Sequence, residues 1–393
     1  MLEIPECLDK VFRNAAEKLK GCDEIRVLAH YDADGISSAA IIYRALKGKR
    51  FHVSFVKDLS RENIKNMMDQ NYQCYLLVDM GSSLIDLLSS YKNVIVLDHH
   101  PVVGKGDIIH INPHLCGMDG SRDACGATLS FLLSIYIDEK NVSLYPIYLA
   151  GVIGDKQDIG GYTGLNRIIY ENILKNSDKI SDLKMDGHNV KDMIVNSVEP
   201  FFVDLTGKEE NVEKFLRDAS INGEMRFIDL KDDEKVRLVS LLTLRLLKLN
   251  IDPEYVKDIV TEKIFLREFG LYDRNLSNIV NACARMDKQG LAFLFLSGDN
   301  GKRDEVLEIF KNYRNNVINE VYSAISGRKE LKNIVYFYVE GDSMAGAVSG
   351  ILSSYVFDKR RPVLALHVKN SEVRVSARTT RYMISRGLNL GAI

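Results

Sequence analysis

Between residues 24 and 111 short apolar runs, IRVLAH, FHVSFV, CYLLVDM, VIVLDHH and IIHI, alternate with stretches of helical periodicity. Near-continuous apolar runs of this length mark strands buried on both faces, so the pattern predicts a parallel sheet wrapped by helices. Polar clusters follow the runs directly: HYDADG, DMGS and DHHP. In such sheets reacting groups sit just past the carboxyl ends of strands, which places these clusters on one rim. Helical patterns at 124–139 and 144–154, the second running into GDKQD, complete a first domain over 1–159.

From 160 to 328 the chain reads as largely helical, in LNRIIYENILKN, DEKVRLVSLLTLRLLKL and EVLEIFKNYRNNVINEVYSAI, with few strand signals. This is expected to be an intermediate helical region. A small α/β unit over 329–393 follows: strand NIVYFYVEG, small-residue helix SMAGAVSGILSSYV, then strands PVLALHV and EVRVSAR. GDSMAG is not a P-loop, because Ala347 and Val348 stand where Lys and Ser/Thr would be needed. The expected fold class is therefore α/β throughout, with a helical middle.

A length of 393 residues exceeds what one hydrophobic core organises, which agrees with several domains. An apolar fraction of 46% with 27% charged residues excludes disordered and fibrous classes. The N-terminus is charged throughout and no later stretch is apolar enough for a membrane span, so the reading is a cytoplasmic protein without membrane contact. Cys7, Cys22, Cys74, Cys116, Cys125 and Cys283 form no CxxC pair, which disfavours a zinc ribbon or a disulfide framework and leaves them as buried filler.

The distribution of charge changes the picture more than its sum. Residues 359–393 carry eight basic side chains against Glu372 alone, a net of +7 that leaves −9 on the rest of a chain whose total is −2. A basic end on an acidic body suits one lobe that grips phosphates and another that collects cations.

The acidic body has the ligands for such cations. His30, Asp32 and Asp34 alternate in HYDADG, so on an extended segment all three face one point, an imidazole and two carboxylates suited to Mn²⁺ or Mg²⁺. Asp79 in VDMGS follows a buried strand and could bridge two ions. Asp98, His99 and His100 end another strand; adjacent histidines point opposite ways, so one ligates and the other acts differently. Asp155 in GVIGD offers a further carboxylate, with Asp158 the nearby alternative.

In this order HYDADG, VDMGS, LDHHP and GVIGD resemble the four motifs of the DHH phosphoesterase superfamily. INPHLCGMDGSRDACGAT makes the chain most similar to RecJ-like exonucleases of archaea, including the GINS-associated nuclease. The resemblance implies that His30 and Asp32 hold one metal ion, that Asp34, His99 and Asp155 hold a second, and that Asp79 bridges them. It implies that His100 donates to the scissile phosphate and that Asp98 orients the histidines. Ions about 3.5–4 Å apart suit in-line displacement at phosphorus. The distal unit resembles the DHH-associated domain, whose Ser-x-Arg strand, here Ser376 and Arg378, meets substrate phosphate.

The activity implied is a two-metal exonuclease releasing 5′-mononucleotides from single-stranded DNA or RNA in replication or repair. The alternatives implied are a GINS-binding scaffold, linked through GINS to the MCM helicase, with residual nuclease, or a phosphodiesterase on short oligonucleotides or cyclic dinucleotides. Family members usually continue into a glycine-rich GGHxxAAG-like segment, whereas GLNLGAI ends this chain in what reads as an unfinished helix, so the distal domain is either cut short in this sequence or naturally abbreviated.

Overall fold

A computed structural model describes residues 2–68, 70–248, 251, 256, 259–369 and 372–390. The chain divides into two compact units, Met1–Asp178 with Ile264–Phe310, and Lys179–Lys263 with Lys311–Ile393.

The first unit opens with helix α1 (Glu6–Lys20), which turns Leu8, Phe12, Ala15, Ala16 and Leu19 inward. Strands β1 (Glu24–His30), β2 (Arg50–Val56), β3 (Cys74–Val78), β4 (Val94–Leu97) and β5 (Ile109–Ile111) form one sheet. Its order is β2-β1-β3-β4-β5 and every pairing is parallel. β3 and β4 are buried along their whole length, which accounts for their unbroken apolar sequences. The chain passes from β1 to β2 on one side and returns to β3 on the other, so the strand order reverses between β1 and β3. At that reversal the crossover helices diverge and leave an open crevice past the strand ends.

Helix α2 (Ala33–Ala45) covers the reversal; α3 (Arg61–Met68) and the single turn α4 (Ile85–Leu88) follow β2 and β3. α5 (Gly126–Ile137) and α6 (Tyr145–Gly154) are apolar on all sides and pack with α2 in the largest core. Phe131 and Tyr148 stack there with ring centroids 5.2 Å apart. α7 (Gly164–Ile169) closes this stretch.

The second unit begins with β6 (Lys179–Leu183), α8 (Val190–Val195), α9 (Glu209–Asp218) and α10 (Asp232–Lys248), after which β7 (Val260–Leu266) carries the chain back to the first. β7 pairs antiparallel with β8 (Leu271–Tyr272). α11 (Asp273–Arg285) and α12 (Gln289–Leu296) bury Leu276, Ile279, Val280 and Phe295 in the same core as α2 and α6. α13 (Arg303–Gly327) then leads out again.

The boundaries read at 159 and 328 therefore differ from the structural ones, and the stretch between them is not uniformly helical. A unit assembled from two separate segments leaves no local mark on the sequence. The strand VTEKIFL of β7 hides its extended character behind the three polar residues that follow Val260.

The second unit ends in a four-stranded sheet, β12-β11-β10-β9, made of β9 (Lys329–Glu330), β10 (Val335–Tyr338), β11 (Val363–Lys369) and β12 (Glu372–Arg378). β10 and β11 are parallel and connected by helix α14 (Asp342–Tyr355), the α/β unit read from the sequence. A short helix α15 (Arg381–Ile384) and a turn follow; residues 391–393 of the expected terminal helix lie outside the described residues.

Two cysteine pairs correct the reading of filler. Cys7 is disulfide-paired with Cys116 and Cys22 with Cys74, each at a Cα separation of 6.1 Å. Cys74 opens β3 opposite Ile25 of β1, so sheet register, which spacing does not encode, brings it beside Cys22. Cys125 and Cys283 are free and buried. Among the described residues no helix is long and apolar enough to cross a membrane.

Candidate metal centre

Each ligand-type side chain is delivered to the crevice by the end of an element. His30 is the last residue of β1. Asp32 caps α2, its Oδ1 accepting the Gly35 N–H at 3.1 Å. Asp34 lies inside the first turn of α2, so His30, Asp32 and Asp34 do not share the extended segment read from HYDADG. They reach one crevice because the chain turns from strand to helix within them. Gly35 permits that turn: a Cβ there would overlap the His30 carbonyl oxygen.

Asp79 follows β3 with φ 59°, a left-handed conformation that costs a residue with a Cβ about 1 kcal/mol or more. Its side chain is 2% exposed. Nδ1 of His30 lies 3.0 Å from Asp32 Oδ2 and 3.3 Å from Asp79 Oδ2. Nε2 of His99 lies 3.2 Å from Asp79 Oδ1, 3.9 Å from Asp34 Oδ2 and 4.0 Å from Asp155 Oδ2. Three sets of donor atoms thus converge among the described residues: His30 with Asp32 and Asp79, Asp34 with His99 and Asp155, and Asp79 with His99 and His100. Asp79 directs Oδ2 toward His30 and Oδ1 toward His99.

The surroundings fix these groups. The first two N–H groups of α5 grip Asp34: Gly126 donates to Oδ2 and Ala127 to Oδ1, both at 2.7 Å. A helix N-terminus offers unpaired donors and positive potential, which suits a buried carboxylate. Gly126 must lack a side chain, since a Cβ would come within 2.8 Å of Asp79 Cβ and 2.9 Å of Asp34 Oδ2. His99 Nδ1 donates to the Gly120 carbonyl at 2.6 Å, which turns Nε2 toward the carboxylates. Asp98 accepts from the backbone N–H groups of Ser82 and His99 at 2.8 Å. Its Oδ1 also accepts from His100 Nδ1 at 2.7 Å. The Asp98 side chain therefore orients the ring of His100 but not that of His99. His99 is 7% exposed and His100 53%, yet their ring centroids lie 4.4 Å apart with the planes tilted by 46°, so the two rings do not point opposite ways as read from the sequence.

Without a cation the centre holds protons. Burial opposes charge on His30 and His99, but Asp32 and Asp79 around the first, and Asp79, Asp34 and Asp155 around the second, raise both to about 11. Burial, reinforced by Asp34, pushes Asp155 up to about 7. Burial and the nearby Asp79 raise Asp34 as well. The Asp98 carboxylate raises His100, despite partial burial.

The donor set fits hard divalent cations. His30 Nδ1 and Asp79 Oδ1 are buried at ion-pair distances from their neighbours but without aligned hydrogen-bond partners. Carboxylates with imidazoles and no thiolate suit Mn²⁺ or Mg²⁺ rather than a soft metal. Asp158, the alternative to Asp155, is ion-paired with Arg274.

The remaining candidates stand in the second unit. Ser376 and Arg378 alternate on β12, opposite Ala365 and Val363 of β11. Ser376 Oγ is 3.4 Å from Ser349 Oγ on α14, and a Cβ at Gly346 would lie 3.1 Å from Arg378 Nη2. The small residues of GDSMAGAVSG thus let this arginine approach the helix. Sequence reasoning missed Gly120, Gln157 and Asn166, which fix ligands through backbone and amide bonds; only their placement near DHH and GVIGD points to them.

Comparison with known proteins gives the family and the fold. Residues 24–152 match the N-terminal domain of the DHH family. An uncharacterized protein of Methanocaldococcus jannaschii is 31% identical over 99% of this chain and 89% of its own length. Among solved structures, exonuclease RecJ bound to manganese superposes at a TM-score of 0.55 and 17% identity, over 94% of this chain and 82% of that one. CDC45 from Entamoeba histolytica superposes at 0.65 and 11% identity, over 95% and 87%. These likenesses establish a RecJ-like fold. With its four motifs converging in one crevice, the chain belongs to the DHH family.

Proposed function

We propose that this protein is a two-metal phosphodiesterase that shortens single-stranded DNA or RNA from an end and releases 5′-mononucleotides. The observation that carries the reading is the position of Asp79 between two donor sets, one oxygen 3.2 Å from His99 and the other 3.3 Å from His30. His30 and Asp32 would hold one Mn²⁺ or Mg²⁺, Asp34, His99 and Asp155 the other, and Asp79 both. When bound, such a pair supplies an activated water and stabilises charge on the attacking and leaving oxygens.

The rest of the chemistry is the protein's own. His100, half-exposed and raised by the Asp98 carboxylate on its Nδ1, would donate a proton to the departing or bridging oxygen. Arg378, on the edge strand β12, would fork onto phosphate oxygens and position the nucleic-acid strand without reading its bases. A basic end net +7 adds salt-dependent grip. A role in replication or repair, with contact to GINS and through it MCM, belongs to the same reading.

The test is a purified chain with Mn²⁺ and single strands of DNA and RNA labelled at either end. Stepwise mononucleotide release, lost in Asp79→Ala, supports the reading; cleavage of dinucleotides or cyclic dinucleotides in preference to long strands overturns the polymeric substrate.

A further inference from the structure

Gln157 takes no part in the steps above, yet the residue is 4% exposed and its amide touches the centre. Its place follows from how α6 ends. Lys156 adopts φ 59°, the left-handed cap conformation, and the Gln157 N–H donates back to the Val152 carbonyl at 3.0 Å. From there Nε2 donates to Asp155 Oδ2 at 2.8 Å, to the Gly120 carbonyl at 2.9 Å and to the Ala124 carbonyl at 3.3 Å. The Gly120 carbonyl is the same acceptor that orients His99. One amide therefore bonds one ligand directly and shares the anchor of another.

The direction of the amide is dictated from behind. Oε1 of Gln157 accepts from Asn166 Nδ2 at 2.8 Å. That nitrogen also donates to the Arg122 carbonyl at 3.3 Å. Asn166 Oδ1 in turn accepts the Thr128 hydroxyl at 2.6 Å and the Tyr148 hydroxyl at 3.2 Å. Turning either amide over would set donor against donor and acceptor against acceptor in a site without water-accessible alternatives, at about 1–3 kcal/mol for each unmade bond. The Gln157 nitrogen is thereby committed to facing three oxygens.

We infer that Gln157 is a positioning residue for one half of the centre, the half made by Asp34, His99 and Asp155, where it sets the rotamer of Asp155 and secures the carbonyl that fixes the His99 tautomer. His30 and Asp32, which it does not touch, keep their own supports. The inference rests on the metal reading of the centre, so its test separates the two.

Mn²⁺ is titrated into the chain and free Mn²⁺ is read by electron paramagnetic resonance, alongside thermal melting. The wild-type chain is expected to take up two ions. Gln157→Met removes the donor at similar length, and Gln157→Glu keeps the acceptor for Asn166 while facing Asp155 with oxygen. In both variants one site is expected to weaken by about 10- to 100-fold while the other is unchanged. Asn166→Asp, which no longer holds the Gln157 amide in its direction, is expected to weaken the same site and carries the test if the Gln157 variants do not fold. Equal loss at both sites with a fall in melting temperature, or no loss at either, overturns the inference alone. A wild-type chain that takes up no Mn²⁺ overturns the metal reading and the inference with it.

Discussion

Asp79 approaches His99 with Oδ1 3.2 Å from Nε2 while its own backbone is held at φ 59°. A strained residue that buries a carboxylate lowers stability, and such strain gathers where geometry matters more than stability. Asp79→Gly is therefore expected to melt higher than Asp79→Ala, by the equivalent of about 1 kcal/mol, because glycine accepts the left-handed region freely. Both variants should lose Mn²⁺-dependent cleavage. Equal melting temperatures, measured without metal, would contradict the strain.

The protonated histidines set a pH dependence. Folding raises His30 and His99 from near 6.5 to about 11, so the stability they contribute is complete below pH 6.5 and is lost as pH rises toward 11. Asp155, raised to about 7, loses its contribution between pH 3.8 and 7 in the same direction. The metal-free protein should accordingly melt at progressively lower temperature from pH 6.5 to 9.5, with a shallower slope in Asp79→Asn. Scanning fluorimetry in EDTA reads this; a melting temperature that rises over that range contradicts it.

Metal uptake must displace the same protons, because imidazole ligates only when neutral. Calorimetric titration of Mn²⁺ at pH 7.5 in two buffers of different ionisation enthalpy is expected to show proton release, and affinity is expected to increase with pH. A binding enthalpy independent of buffer would show that His30 and His99 are not the ligands.

His100 and Asp98 divide labour differently from His99. His100→Gln should lower kcat by about 10²- to 10⁴-fold while leaving Mn²⁺ affinity intact. Asp98→Asn removes the carboxylate that raises His100 and should move the basic limb of the pH–rate profile to lower pH. Loss of Mn²⁺ binding in His100→Gln would instead make His100 a ligand.

Gly126→Ala tests the grip of α5 on Asp34. The added methyl meets Asp79 Cβ and Asp34 Oδ2 below 3.0 Å, so the helix must shift, at about 1–3 kcal/mol. Both melting temperature and Mn²⁺ affinity should fall. An unchanged affinity would show that Asp34 does not need the helix terminus for its placement.

The parallel sheet and the ligand-type residues were legible because both are written in contiguous sequence: unbroken apolar runs for β3 and β4, a mostly apolar one for β1, and polar clusters at their ends. The α/β unit around α14 was legible for the same reason. What was hidden depends on tertiary contact. Nothing local announces that α11 and α12 return to the first unit, that Cys22 meets Cys74 through strand register, or that Gln157 faces three oxygens. The extended placement of Asp34 failed because HYDADG crosses from strand to helix, and its alternation of ligands reads equally well in either conformation.

The most direct measurement is the location and number of Mn²⁺ ions, by anomalous diffraction from crystals of the chain grown with manganese. Two ions in the crevice, with Asp79 contacting both and His30 and His99 on opposite sides, is the expected result. A single ion, or ions bound away from Asp79, would contradict a binuclear centre.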